Sequence, residues 1–212
     1  MGTKDLPAFI DAILEKTGLE KISYIGHSEG TTQFFLGASL LPDYFSERIN
    51  LSIHLAPVGK TTNIPYSSLH TAAPHVYEIQ TALMLIKQYN LIPPQSIGSH
   101  LVDIVCGIPF VKAICDDVES MVFDPDVMNL DRAAEGISIV PSGQSYRTFV
   151  YYAQMMNDDR FSLYDYGKSE NMKLYGSELA PLVPIEDYKV PTVLMSGDVD
   201  PLADPIDVEW LT

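Results

Sequence analysis

Apolar positions in "MGTKDLPAFIDAILEKTGLEK" recur at helical spacing. Phe9, Ile10, Ile13 and Leu14 fall on one face, and Gly18 is placed to stop the helix. "KISYIGH", residues 21–27, is a short run of strand formers. "TTQFFLGASLLPDYF", residues 31–45, returns to a helical pattern that ends near Pro42. A second buried strand is expected in "INLSIHLAPVG", residues 49–59, closed by Pro57 and Gly59. A third is expected in "VPTVLMSGDVD", residues 190–200. Short, nearly continuous apolar runs alternating with helices predict an α/β fold built on a parallel sheet.

The second and third strands are separated by roughly 130 residues, too long for a connection inside a compact domain. That stretch carries helical patterns, many Tyr and Met residues and several Pro breaks. The expected organisation is therefore 1–59 as the first part of a sheet-bearing core, 60–186 as an inserted, mostly helical cap, and 187–212 as the second part of the core. No internal repeat or low-complexity segment is present. A sheet of three strands leaves edges and a face open, which predicts poor solubility or a partner that covers them.

Composition narrows the function. The chain has 212 residues, 46% of them apolar, so it can bury a core. Acidic residues outnumber basic ones 28 to 13, for a net charge of −15. That balance argues against a nucleic-acid partner, which needs clustered Lys and Arg against phosphate. It also argues against docking on anionic lipid by charge. No apolar run reaches the roughly 18 residues of a membrane span. The N-terminus does not read as a signal peptide, being broken by Asp5, Pro7 and Asp11. Nor does it fit a myristoylation pattern, since position 6 is Leu6. The sequon Asn50-Leu51-Ser52 abuts a strand and reads as buried rather than glycosylated.

The chemistry centres on Gly26-His27-Ser28-Glu29-Gly30. A G-x-S-x-G pentapeptide is weak evidence alone, but this one follows a predicted strand and opens a predicted helix, as a nucleophile elbow does. The turn is tight enough that Cβ atoms two residues either side of the serine are expected to collide with neighbouring backbone. The strained serine lifts its hydroxyl out of the sheet, the helix N-terminus favours developing negative charge, and the N–H of Glu29 is placed as an oxyanion donor. An acid is expected on the loop after a later strand. Asp198 and Asp200 are the candidates there, while Asp204 reads as a helix N-cap and Asp207 as a first-turn acid, both structural. Two look-alikes fail. "HLAPVGKT" has His54 where a phosphate loop needs Gly. "DPDVMNLDRAAE" and "DVDPLADPIDVE" lack the sixth-position Gly and fifth-position oxygen ligand of a calcium loop.

These stretches together resemble the acid lipase family of α/β-hydrolases, which includes gastric and lysosomal acid lipases. The resemblance is carried by "DLPAFIDAILEKTG", "YIGHSEGTTQFF", "LAPV", "RFSLYDYG" and "VPTVLMSGDVDPLADPIDV", and by the C-G-x7-C spacing of Cys106 and Cys115. It implies Ser28 as nucleophile, Asp200 as the triad acid, and the backbone N–H of Glu29 in the oxyanion hole. The family more often has Gln at position 29. It also implies fatty-acyl ester substrates such as acylglycerols or sterol esters, met at a lipid–water interface, with no cofactor or metal. The cap would cover an apolar acyl pocket, with Met84, Leu85, Phe110 and Phe123 as candidate lining. The spacing of Cys106 and Cys115 leaves both a local disulfide and free thiols open, and the resemblance implies the disulfide and a secreted or lysosomal route.

The family's catalytic His lies a few tens of residues past the acid, and its second oxyanion donor lies in an upstream "HG" loop. Neither is found between Met1 and Thr212. His27, His54, His70, His75 and His100 do not stand in the base's place, and His54 reads as a satisfied core histidine. The chain thus reads as a central slice of a longer enzyme, inactive on its own. The alternatives are a catalytically dead lipid-binding or interaction protein, or an acyltransferase of the same fold.

Overall fold

A computed structural model of the chain describes residues 1–92 and 143–212. Their contacts divide them into two compact units: residues 1–64 with 158–212, and residues 65–157. The sequence reading assigns 158–186 to the inserted region; in the structure these residues belong to the unit that holds the sheet.

That unit is built on a three-stranded parallel sheet. Strand β1 (Ile22–His27) pairs with β2 (Ile49–Leu55), and β2 pairs with β5 (Thr192–Met195), in the order β1-β2-β5. One sheet face carries Tyr24, Ser52 and His54. Helix α2 (Glu29–Leu40) covers it with Phe34 and Phe35, both buried. Phe34 stacks on Tyr24 with ring centroids 4.3 Å apart and meets Phe45 edge-on at 5.1 Å. Burying each such ring contributes roughly 1.5–3 kcal/mol. Phe45 comes from α3 (Pro42–Arg48), a separate short helix that Pro42 opens; α2 has already ended at Leu40.

Helix α1 (Asp5–Thr17) ends as expected, with Gly18 left-handed at φ 70 and its N–H on the Leu14 carbonyl. Its buried stripe differs from the expected one. Leu6, Ile10 and Leu14, spaced four apart, pack on the core, whereas Phe9 and Ile13 point outward and Phe9 is 65% exposed. Four apolar residues cannot all face a single narrow ridge, and the i, i+4 row won.

The opposite face of the sheet is apolar and open. Ile25 lies beside Ile53 and Ile53 beside Val193; Leu55 lies beside Met195. Ile25, Leu55, Val193 and Met195 are all exposed.

The second unit contains α4 (Ser67–Ala72), a 3-10 turn at Ala73–His75, and α5 (Val76–Leu85). It also holds the short antiparallel pair β3 (Asn90–Ile92) and β4 (Gln144–Ser145), followed by α6 (Tyr146–Asp158). The sheet-bearing unit is completed by α7 (Lys168–Tyr175), a 3-10 turn at Ile185–Asp187, and α8 (Pro205–Glu209).

Candidate active site

Ser28 sits between the last residue of β1 and the first of α2, at φ 50 and ψ −117. A non-glycine residue there is strained, and such residues persist where surrounding bonds over-determine them. Its N–H donates to the Leu55 carbonyl at 3.0 Å. Although Ser28 occupies the N-cap position, its hydroxyl makes no capping bond to α2. The side chain is half-buried at the N-terminus of a 12-residue helix, where the helix dipole favours an anion.

The glycines of the pentapeptide serve unequal purposes. A Cβ on Gly26 would stand 2.7 Å from Cε1 of Tyr24 and 3.3 Å from the Gly30 carbonyl carbon. One on Gly30 would meet only the Tyr24 hydroxyl, at an ordinary 3.4 Å. The expected clash with backbone is therefore mainly a clash with the Tyr24 ring, which runs beneath the turn and donates its hydroxyl to the Gly30 carbonyl at 2.9 Å. Glu29 raises the question of a carboxylate beside a developing oxyanion. Its Oε1 accepts from Nε2 of Gln33 at 3.2 Å, one turn along α2, so the side chain is directed along the helix.

The elbow is fastened to the segment leaving β2. Thr31 and Thr32 bond to both sides of the Val58 peptide. Ala56 in that segment is a second strained residue, at φ 48, and its N–H donates to Met195 at 2.8 Å. Sequence reading did not single out these three residues. The "GTT" stretch shows hydroxyls in the first helical turn but not the loop they reach.

Asp200 is half-buried on the loop after β5. Its Oδ1 accepts the N–H groups of Leu202 at 2.9 Å and Ala203 at 3.0 Å, which fixes the carboxylate in the turn. Asp198 is exposed. Asp204 caps α8 by accepting from Ile206 at 2.8 Å, and Asp207 is buried against Asn63. The register places His27 beside Leu55 and Leu55 beside Met195. Ser28 and the Asp200 loop therefore leave the same carboxyl edge of the sheet, two strands apart, about 10 Å between backbones.

The described histidines are His27, His54, His70 and His75. His27 is exposed, and His70 and His75 lie in the second unit. His54 is 0% exposed in β2, stacked 4.3 Å from Phe35. It is a core histidine, but not a satisfied one: neither Nδ1 nor Nε2 has a hydrogen-bond partner among the described residues. Burial lowers its pKa from 6.5 to about 4, so it is neutral at pH 7. His100, Phe110, Phe123, Cys106 and Cys115 lie outside the described residues. Among the described residues no cluster of three or more His, Cys, Asp or Glu is arranged to hold a metal. No helix there is long and apolar enough to cross a membrane.

No protein-family model matches the chain. It is similar to human lipase member K, with 32% identity over 216 residues, covering 100% of this chain and 53% of that protein. It is likewise similar to human lysosomal acid lipase/cholesteryl ester hydrolase, with 30% identity over 216 residues and the same coverage of each. The chain spans about half the length of the curated relatives it matches. Among solved structures it is similar to an inhibitor-bound epoxide hydrolase of Bacillus megaterium, at 15% identity and a TM-score of 0.42, covering 96% of this chain and 61% of that one. The sequence relationship to these lipases runs from one end of this chain to the other.

Proposed function

We propose that the whole protein is a serine ester hydrolase acting on fatty-acyl esters. The observation that carries the reading is the strained Ser28 at the mouth of α2, with its hydroxyl outside the helix cap. Ser28 Oγ attacks the acyl carbonyl carbon while a histidine from the rest of the protein takes the hydroxyl proton. The Glu29 N–H stabilises the oxyanion. The alcohol leaves with that proton, and water then attacks the acyl-enzyme, releasing the fatty acid and restoring Ser28. Asp200 orients the histidine, its carboxylate held by Leu202 and Ala203.

The substrate class is supported by similarity to a human lysosomal acid lipase/cholesteryl ester hydrolase. The inserted region supplies the cap for the acyl chain; of the 60–186 expected from the sequence, 65–157 form a unit of their own. Among the described residues there, Met84 and Leu85 offer exposed apolar surface, Leu85 being 79% exposed. Phe110 and Phe123 are further lining candidates implied by the family resemblance; they lie outside the described residues.

The test uses the full-length protein with a p-nitrophenyl ester and a fluorophosphonate that labels active serines. Ser28→Ala should abolish labelling, and both Ser28→Ala and Asp200→Asn should lower kcat by about 10⁴-fold. Undiminished turnover by Ser28→Ala ends the reading.

A further inference from the structure

The peptide groups on both sides of Ser28 are tied to one short segment, residues 55–58. On the amino side, the Ser28 N–H donates to the Leu55 carbonyl at 3.0 Å. On the carboxyl side, the Ser28 carbonyl accepts twice from Thr31: its N–H at 2.9 Å and its Oγ1 hydroxyl at 2.6 Å. The same Oγ1 accepts the Val58 N–H at 2.8 Å. The neighbouring Thr32 hydroxyl donates to the Val58 carbonyl at 2.8 Å. Thr31 is 0% exposed, so no water competes for these bonds.

The direction of the Ser28 Cα–Cβ bond, from which the hydroxyl hangs, follows from two rotations. One is φ, set by where its N–H points, and the other is ψ, set by where its carbonyl points. Leu55 fixes the first. Thr31 fixes the second, and through Val58 refers it to the same segment as the first. An ordinary helix needs no such side-chain clasp on its first carbonyl. A residue held at φ 50 and ψ −117 does, because the relaxed backbone lies elsewhere. The hydroxyl of Thr31 joins the elbow carbonyl directly to the segment after β2.

We infer that Thr31 is a positioning residue for the nucleophile: its buried hydroxyl, bonded to both the Ser28 carbonyl and the Val58 N–H, holds Ser28 at its attacking angle. This rests on the serine-hydrolase reading of Ser28.

The experiment measures kcat, KM and the rate of fluorophosphonate labelling for the full-length protein and its Thr31→Val, Thr31→Ser and Ser28→Ala variants. Thr31→Val keeps shape and removes the hydroxyl; it should lower kcat and the labelling rate by about 10- to 100-fold with KM within about two-fold, as expected for a misaimed attacking atom. Thr31→Ser, which restores the hydroxyl, should recover most of the loss. Where Thr31→Val does not fold, Thr31→Cys, a poorer hydrogen-bonding group of similar size, takes its place with the same expectation. A kcat near wild type in Thr31→Val, or in its Cys substitute, overturns the inference. So does an equal loss in Thr31→Ser and Thr31→Val, which would trace the effect to packing of the methyl. Activity retained by Ser28→Ala overturns the hydrolase reading itself, and the role of Thr31 falls with it; a dead Ser28→Ala beside an intact Thr31→Val removes the inference alone.

Discussion

Asp207 accepts both amides of Asn63, the backbone N–H at 2.9 Å and the side-chain Nδ2 at 2.8 Å. The carboxylate is 3% exposed. It ties α8, just past the Asp200 loop, to the chain that has left β2.

Asp207→Ala should therefore remove the buried carboxylate to which both Asn63 amides donate and destabilise the full-length protein by about 1–3 kcal/mol. Urea unfolding measures this. In a double-mutant cycle, Asn63→Ala combined with Asp207→Ala should cost less than the sum of the two, with a coupling of about 1 kcal/mol. Strict additivity would show that the pair is not what holds α8.

His54 gives the fold an acid sensitivity. Burial lowers its pKa from 6.5 to about 4, so the folded state resists the proton that the unfolded chain accepts near 6.5. Between those values the unfolded chain binds more protons, and stability falls as pH drops from about 6.5 toward 4. The full loss is on the order of 3 kcal/mol. His54→Leu should flatten the thermal-unfolding midpoint across this window while raising it at pH 5. An unchanged pH slope in the variant would assign the acid sensitivity to other groups.

Gly26→Ala places a methyl group 2.7 Å from the Tyr24 ring. The expected loss is about 1–3 kcal/mol, with reduced turnover as the elbow shifts. Tyr24→Phe alone removes the bond to the Gly30 carbonyl and should cost about 1 kcal/mol. Adding Tyr24→Leu to Gly26→Ala should recover part of the midpoint. No recovery would point to the Gly30 backbone as the obstacle.

Residues 1–212 expressed by themselves should self-associate through the open sheet face, where Ile25 is 66% exposed beside Ile53 and Val193. Light scattering of the wild-type chain and of an Ile25→Lys/Val193→Lys pair tests this. The double variant should shift toward monomer; equal association in both would place the contact elsewhere.

The local pattern was enough to place the three strands, the stop of α1 at Gly18, the Asp204 cap and the serine of the elbow. Each depends on neighbours within a turn or two: the strand alternation, a left-handed Gly, a short side chain reaching a nearby N–H. Periodicity could not say which apolar residues of α1 would be buried, because Phe9 and Ile10 both suit a helix stripe and only the shape of the partner surface selects Ile10. Nor could it foresee that His54 would lie between aromatic rings with both nitrogens unbonded, since a strand position shows burial but not what faces it. The clasp of Thr31 on Ser28 and Val58 joins residues 27 positions apart, and Asp207 reaches Asn63 across 144. The sequence by itself determined the G-x-S-x-G turn and the elements around it. Only the tertiary structure decided how that serine is held, because the angles that aim it are fixed by hydrogen bonds from a loop that the chain reaches after another strand.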